Sequence, residues 1–414
     1  MLLHYLTVSL RNVLRNKLAS SISVFGLAIA LGGSMLVYAY VRWEFGYNTG
    51  FPDKAHVYRM VRSTESNTGV SFNIRTSGPL GPAIQASHPE VVSVTRLLRR
   101  RIFVGTGEKG EASMFCAADP NVMAFCAIEI VRGSAESLHL PGTVALSESY
   151  ARLLFGGTDV VGRQVEVEES FVGAYEVVAV FKDFDDHTTQ WFAVLAFPDP
   201  PADDQQSRSG MAAYYSWNAR GWLPIETFLQ LRSDADVDAL ESGIQKLLGV
   251  HLPDVASYNA YHLQPFNRIF LHNLPDYGVP DLGGGYGISY GDAGRLRGAI
   301  LIAVMLVFGL AAFLAERRLK EICVRKVLGA GPWSLVYLLM RDHISLVLVA
   351  SIVAIPTAAW LSRRWLADYA TRIDLTDWPF ATASVICVVA TFLAVALPAN
   401  RAIRSDPARN LRQE

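Results

Sequence analysis

Four runs of the chain, residues 20–41, 298–315, 344–361 and 380–397, are apolar and free of charged side chains. Each is close to the ~20 residues that cross a bilayer as a helix. The first is too long for a signal-peptide core and lacks a cleavage site, so it reads as a retained anchor. The second is slightly short, but Leu296 and the helix that follows extend it. Pro356 lies inside the third and is expected to kink it. Between the first two runs the pattern changes to short segments of water-soluble character. Residues 58–61, 91–104, 175–181, 227–231 and 261–263 read as strands. Residues 79–87 and 147–155 read as helices, the latter with Ser147 as N-cap, and a further helix capped by Ser233 or Asp234 runs to Leu248. This mixture predicts an α+β domain. Two stretches, 198–210 and 274–294, look irregular, and Gly283–Gly285 in the second suits a flexible connection or hinge.

The predicted fold class is therefore a membrane α-helical protein with four transmembrane helices and a large extracytoplasmic α+β domain inserted between helices 1 and 2. The expected division is an amphipathic interfacial helix over 1–19, transmembrane helix 1 over 20–42, and the inserted domain over 43–295. Helix 2 covers 296–315, a cytoplasmic region 316–342, helix 3 343–362, and a short external loop 363–379. Helix 4 covers 380–398 and a cytoplasmic tail 399–414. Orientation follows from the basic residues. Arg11, Arg15 and Lys17 precede the first run without an acidic side chain, and Arg317, Arg318, Lys320, Arg325, Lys326 and Arg341 follow the second. Arg401, Arg404, Arg409 and Arg412 follow the fourth. Both termini and the second loop are expected in the cytoplasm, and 43–295 outside.

The second apolar run continues without a spacer into ERRLKEICVRKVLGA, residues 316–330. Glu321 and Arg325 stand four apart with the acid first, the favourable helical order. Leu319, Ile322, Cys323 and Val327 form an apolar stripe at helical spacing. Gly329 and Gly331 stop the helix, and Pro332 can open the next. A membrane helix that runs straight into a basic amphipathic helix suits coupling to a soluble partner; an ordinary positive-inside loop is the plainer reading. At the N-terminus Leu3, Leu6, Leu10, Val13 and Leu14 make a second apolar stripe, expected to lie among membrane lipids at the interface. In the first run Gly26, Ala30 and Ser34 recur every four residues, a spacing that lets helices approach closely.

Charge and chemistry exclude more than they assign. A formal net charge of -1 speaks against nucleic-acid binding. The chain has no GxxxxGK[ST] phosphate loop, no HExxH, no paired CxxC and no GxSxG elbow. Asp183, Asp185, Asp186 and His187 could ligate a metal, but adjacent residues rarely converge on one ion, and a solvated turn after a strand is the better reading. No catalytic residue, cofactor or metal site is expected. Cys116 and Cys126 fall in the external segment, where either a disulfide or two buried thiols would be stable.

In combination and order, several segments resemble the MacB/FtsX-type permeases of ABC transporters. RNVLRNK precedes VFGLAIALG, and FPDKAHVYRMVR follows the first apolar run. ADPNVMAFCAIEIVRGS, VALSESYARLLFG and DVVGRQVEV resemble the external core domain, and ERRLKEICVRKVLGA the coupling region. The resemblance implies a permease subunit of an ATP-driven efflux or export system in a bacterial cytoplasmic membrane. A separate ABC ATPase subunit would move the membrane helices and, through them, the periplasmic domain. Arg317, Arg318, Glu321, Arg325, Lys326 and Gly329 would belong to the ATPase-coupling region. One copy of the span–domain–three-span unit implies a second permease chain, identical or related, and a periplasmic adaptor is a further expected partner. The alternatives are a transmembrane regulator of an external enzyme such as a cell-wall hydrolase, and a membrane-anchored sensor without an ATPase. The substrate is not legible in the sequence.

Overall fold

The computed structural model describes residues 17–48, 50–67, 69–107, 110–167, 173–184, 188–198, 217, 225–270, 296–302, 304–305, 350–352, 354–358, 360–361 and 364. It divides into two compact units, one of Met1–Phe45 with Gly294–Glu414 and one of Gly46–Ala293.

In the first unit α1 (Lys17–Phe45) is 29 residues long. It buries Ala30 and Met35 and exposes Phe25 and Ile29. Met35 packs on Ala358, with Tyr38 and Ile355 beside them. Ala350, Ala354 and Ala358 are buried and spaced four apart, while Ile352 and Trp360 are exposed. A Cβ placed on Gly32 would lie 4.0 Å from the carbonyl oxygen of Ala354. Small residues thus face small residues, as close helix packing requires. The run 298–315 is described only to residue 305 and 344–361 only in part; 380–397 and the interfacial stripe of 1–16 lie outside the described residues. Over the described residues, no helix is long and apolar enough to cross a membrane.

The second unit is α+β. Its strands are β1 (Val57–Ser66), β2 (Gly69–Asn73), β3 (Val91–Gly105), β4 (Gly110–Ala118), β5 (Ile130–Gly133), β6 (Thr143–Ser147), β7 (Gln164–Val167), β8 (Gly173–Phe181), β9 (Val194–Ala196), β10 (Ile225–Leu231) and β11 (Asn259–Pro265). Its helices are α2 (Leu80–Ser87), α3 (Val122–Phe125), α4 (Glu148–Phe155), α5 (Val237–His251) and α6 (Pro253–Ala256).

The first lobe has the chain order β1-α2-β3-β10-α5-β11, and its strands lie side by side as β11-β1-β10-β3, all antiparallel. This is the split β-α-β arrangement of ferredoxin-like folds. Alternation explains it: Met60, Val94, Leu229, Tyr261 and Leu263 meet Leu80, Ile84, Leu240, Ile244 and Leu248 of the two helices in one core. Gly81 lets α2 approach, since a Cβ there would come within 2.7 Å of the Val94 side chain and 3.1 Å of Thr227.

The second lobe is inserted between β3 and β10. Its pairings run β3–β4–β9–β6–β8–β7 and return from β7 to β3, so the sheet closes on itself. β5 pairs the far half of β8. Closure removes the exposed edges that a flat sheet would leave. The ring is filled by Ile102, Val104, Phe115, Val144, Leu146, Val165, Val177, Val180 and Val194, with Tyr150, Ala151 and Leu154 of α4 packed among them. The Tyr150 hydroxyl shares its one proton between Val104 O at 2.8 Å and Glu111 O at 2.9 Å, fixing the helix to β3 and β4. The long β3 serves both lobes, pairing β10 through Leu98 and β7 from Val104.

Ser147 caps α4, accepting from Tyr150 N, and Gly156 closes it in a left-handed conformation. The helix expected to begin after Ser233 or Asp234 differs. Asp236 caps α5 by accepting from Asp238 N and Ala239 N, and the helix continues to His251. The carboxylate of Asp234 is held instead by Arg232 at 3.0 and 3.1 Å.

Candidate functional site

The Gly46–Ala293 unit starts, directly after α1 in sequence, with Gly46–Asn48 in a turn. Asn48 is buried and takes a left-handed backbone conformation at φ 58°. Asn tolerates that region better than most residues, and here it aims the side-chain amide inward. Its Oδ1 accepts from Thr189 N at 2.9 Å, Thr189 Oγ1 at 3.1 Å and Thr188 Oγ1 at 3.5 Å. Gln190 N donates to Thr188 Oγ1 at 3.1 Å, which fixes the receiving loop. Thr189 O accepts in turn from Arg99 Nη1 at 2.8 Å. Arg99 also donates through Nε, at 3.2 Å, and through Nη2 to Glu226 Oε1. Both side chains of this ion pair are almost fully buried, at 1% and 3% exposure.

Aromatic packing reinforces the same corner. Tyr47 stacks on Phe270 with ring centroids 3.5 Å apart and planes 10° from parallel. Phe51 lies 4.9 Å from Phe266 and 5.6 Å from Phe125, and Phe125 lies 5.1 Å from Phe228. The first turn and the 3-10 turn after β11 (Phe266–Arg268) therefore share one apolar cluster. A cleft of about 220 Å³ opens beside it, lined by Asn48, Phe51, Cys126, Lys182, Phe184 and Thr188 among others.

Cys116 and Cys126 are both buried and both free thiols. Burial pushes both thiols up from their usual range, against the pull of the Arg99 charge. They are poor nucleophiles in this setting.

Among the described residues no three His, Cys, Asp or Glu side chains gather closely enough to hold a metal. Asp183 is committed at the start of α4, accepting from Ser149 N at 3.0 Å and Ser149 Oγ at 2.8 Å. Asp185, Asp186 and His187 lie outside the described residues, as do Gly283–Gly285. The coupling residues Arg317, Arg318, Glu321, Arg325, Lys326 and Gly329 lie outside them too. Ala30 is buried, Gly26 and Ser34 are half-buried, and Ser34 Oγ donates to Ala30 O at 2.7 Å.

One constellation looks like a hydrolase triad. Ser63 Oγ is 2.9 Å from His262 Nε2, and His262 Nδ1 is 3.7 Å from Glu241. Ser63 sits on β1 between β2 and β11, opposite Phe72 and Ala260. At 3.7 Å Glu241 is too far to orient the imidazole, and its other oxygen already accepts from Leu263 N at 2.6 Å. The arrangement is a satisfied cross-strand contact.

Arg99, Glu226, Asn48 and Thr189 were not legible as a group. The one available signal was opposite charge within apolar strands: Arg99 on β3 and Glu226 on β10. Only the register, which sets Glu226 opposite Leu97, shows that they share a buried face.

Two family models match the chain, the MacB-like periplasmic core domain over residues 20–247 and the FtsX-like permease C-terminal over residues 298–407. Among solved structures, a domain of a permease protein from Porphyromonas gingivalis is 22% identical, with a TM-score of 0.43 over 53% of this chain and 94% of that one. The periplasmic region of MacB from Actinobacillus actinomycetemcomitans is 11% identical, with a TM-score of 0.36 over 54% and 92%. The extracellular domain of the noncanonic ABC-type transporter YknZ from Gram-positive bacteria is 12% identical, with a TM-score of 0.36 over 50% and 99%. No curated protein matches the chain. With one model spanning more than half of the sequence and the second following it in order, the chain belongs to the MacB/FtsX-type family of ABC transporter permeases.

Proposed function

We propose that this permease subunit works in an ATP-driven efflux or export system by transmitting force. A separate ATPase grips the region 316–342 on the cytoplasmic side, the membrane helices shift, and the periplasmic Gly46–Ala293 unit changes shape. The subunit performs no chemistry of its own. A second permease chain completes the transporter, and an adaptor engages the external domain.

The observation that carries the reading is the buried bonding of the first turn. Asn48 follows α1 by three residues, yet its side chain is built into the core through Thr189. A turn bonded into the core of Gly46–Ala293 can carry a displacement into that unit, where a loose linker would lose it. The membrane reading has its own support. The first unit buries Ala30, Ala350, Ala354 and Ala358 and exposes Phe25, Ile29, Leu301, Met305, Ile352 and Trp360. That pattern is costly in water and natural in hydrocarbon, where helices associate through small residues and large apolar ones face lipid. In the sequence, the uncharged run 20–41 has the length of a bilayer core.

The test is purification of the full chain from a native membrane in mild detergent. An ABC ATPase is expected to co-purify, and its ATP turnover in nanodiscs is expected to depend on the permease. A permease recovered with no ATPase under conditions that preserve known ABC complexes would favour the sensor reading and overturn this one.

A further inference from the structure

Arg99 sits where β3 passes from one lobe to the other. Its neighbour Leu98 is the last β3 residue paired with β10, at Ile225; beyond it β3 continues beside β4 and reaches β7 at Val104. From this crossing the guanidinium holds Glu226 on β10, in the first lobe, and Thr189 O, in the segment leading to β9 of the closed ring. Thr189 also holds Asn48 of the first turn. One buried cation thus touches, directly or through one residue, the first turn, the first lobe and the segment leading into the closed ring.

We infer that Arg99 is a positioning residue, the hub through which displacement of the first turn is divided between the two lobes. The inference rests on the force-transmission reading. A fork-shaped guanidinium is suited to the task, because it bonds a carboxylate and a carbonyl in fixed directions at once. Stability alone is a weak reason for its presence. Two charges are desolvated here, and Glu226 Oε2 finds no hydrogen-bond partner among the described residues. An apolar pair of similar volume would serve a purely structural core at least as well.

Hydrogen exchange on the full-length permease in lipid nanodiscs tests this in two arms. In the first, Arg99→Met is expected to raise exchange in the peptide spanning residues 46–51 at least tenfold and to leave β6 and β8 unchanged. Glu226→Gln, which keeps shape and one acceptor, gives a smaller rise at the same place. Uniform acceleration across the unit, or none at 46–51, would show Arg99 to be an ordinary core residue and overturn the inference. In the second arm the ATPase is added and trapped with ATP and vanadate. The wild type is expected to change exchange both at 46–51 and in β6–β9. The Arg99→Met variant should keep the first change and lose the second. A variant that keeps both defeats the hub. A wild type with no nucleotide-dependent change anywhere in Gly46–Ala293 defeats the force-transmission reading and the hub with it, whereas a failure seen only in the variant comparison defeats the hub alone.

Discussion

Gly81 shows two opposed effects at one residue. Alanine is favoured over glycine inside a helix by about 1 kcal/mol. Against that, the added Cβ would lie 2.7 Å from Val94 and 3.1 Å from Thr227, and overpacking costs about 1–3 kcal/mol. Gly81→Ala is therefore expected to destabilise the first lobe by about 1 kcal/mol, read as faster exchange of the α2 and β3 amides; a stabilised variant would mean the helix can lift off the sheet freely. Four other side chains set the response to alkali. Burial raises the thiols of Cys116 and Cys126 and the phenols of Tyr150 and Tyr261 above their ordinary values. The unfolded chain then releases protons that the folded one retains, so stability is complete below the unfolded pKa values and falls as pH rises past them. The loss starts near pH ~8.5 for the thiols and ~10 for the phenols. Tyrosinate absorbance is expected to include one cooperative step above about pH 10 that coincides with unfolding. A smooth rise at the ordinary phenol range would show that Tyr150 and Tyr261 are hydrated. None of this was visible in the sequence. Cys116 and Cys126 also read as a disulfide, because spacing reports neither the burial of Cys116 on β4 nor that of Cys126 at the end of α3.

Among the elements, those with a long period were legible and those defined by partners were not. β1, β3, β8, β10 and α2 read as apolar or β-branched runs, and α4 through its Ser147 cap. β7 and β9 are four and three residues long. They exist because a neighbour offers hydrogen bonds, and the closed ring depends on both. The cap of α5 fell two residues beyond Asp234 for a local reason, since Arg232 had already taken that carboxylate. β11 carries a device against unwanted pairing. It ends the strand order, but Glu241 accepts from Leu263 N at 2.6 Å, Gln245 donates to Asn259 O at 2.9 Å, and Pro265 has no N–H to offer. Glu241→Ala is expected to cost about 1–2 kcal/mol and to raise self-association in sedimentation runs; an unchanged monomer–oligomer balance would mean that another group covers this edge. The helix proposed over residues 316–328 makes a separate prediction. Arg325→Glu places like charges four apart, a penalty of a few tenths of a kcal/mol, and sets repulsion against an acidic groove, where mismatch costs several. Normal insertion with weakened ATPase binding is expected; equal binding and equal turnover in reconstituted wild type and variant would remove this helix from the coupling role.

At the scale of the molecule, the proposed topology can be read in intact cells. A cysteine at Ser207 should react with an impermeant thiol reagent without permeabilisation, whereas one at Arg409 should not; the opposite pattern would invert the chain. The insertion of the closed ring into the first lobe also has a consequence in time. β1 lies between β10 and β11, and both are made long after it, because the whole second lobe is synthesised first. At roughly 5–20 residues per second the wait is on the order of ten to thirty seconds. Until residues 225–265 emerge, β1 has only the short β2 beside its far half and the Met60 region lacks both of its partners, while the ring needs only β3 from what came before. The second lobe is therefore expected to become protease-resistant first in a pulse-labelled nascent chain, and the newborn protein to lean on a holding chaperone in the interval.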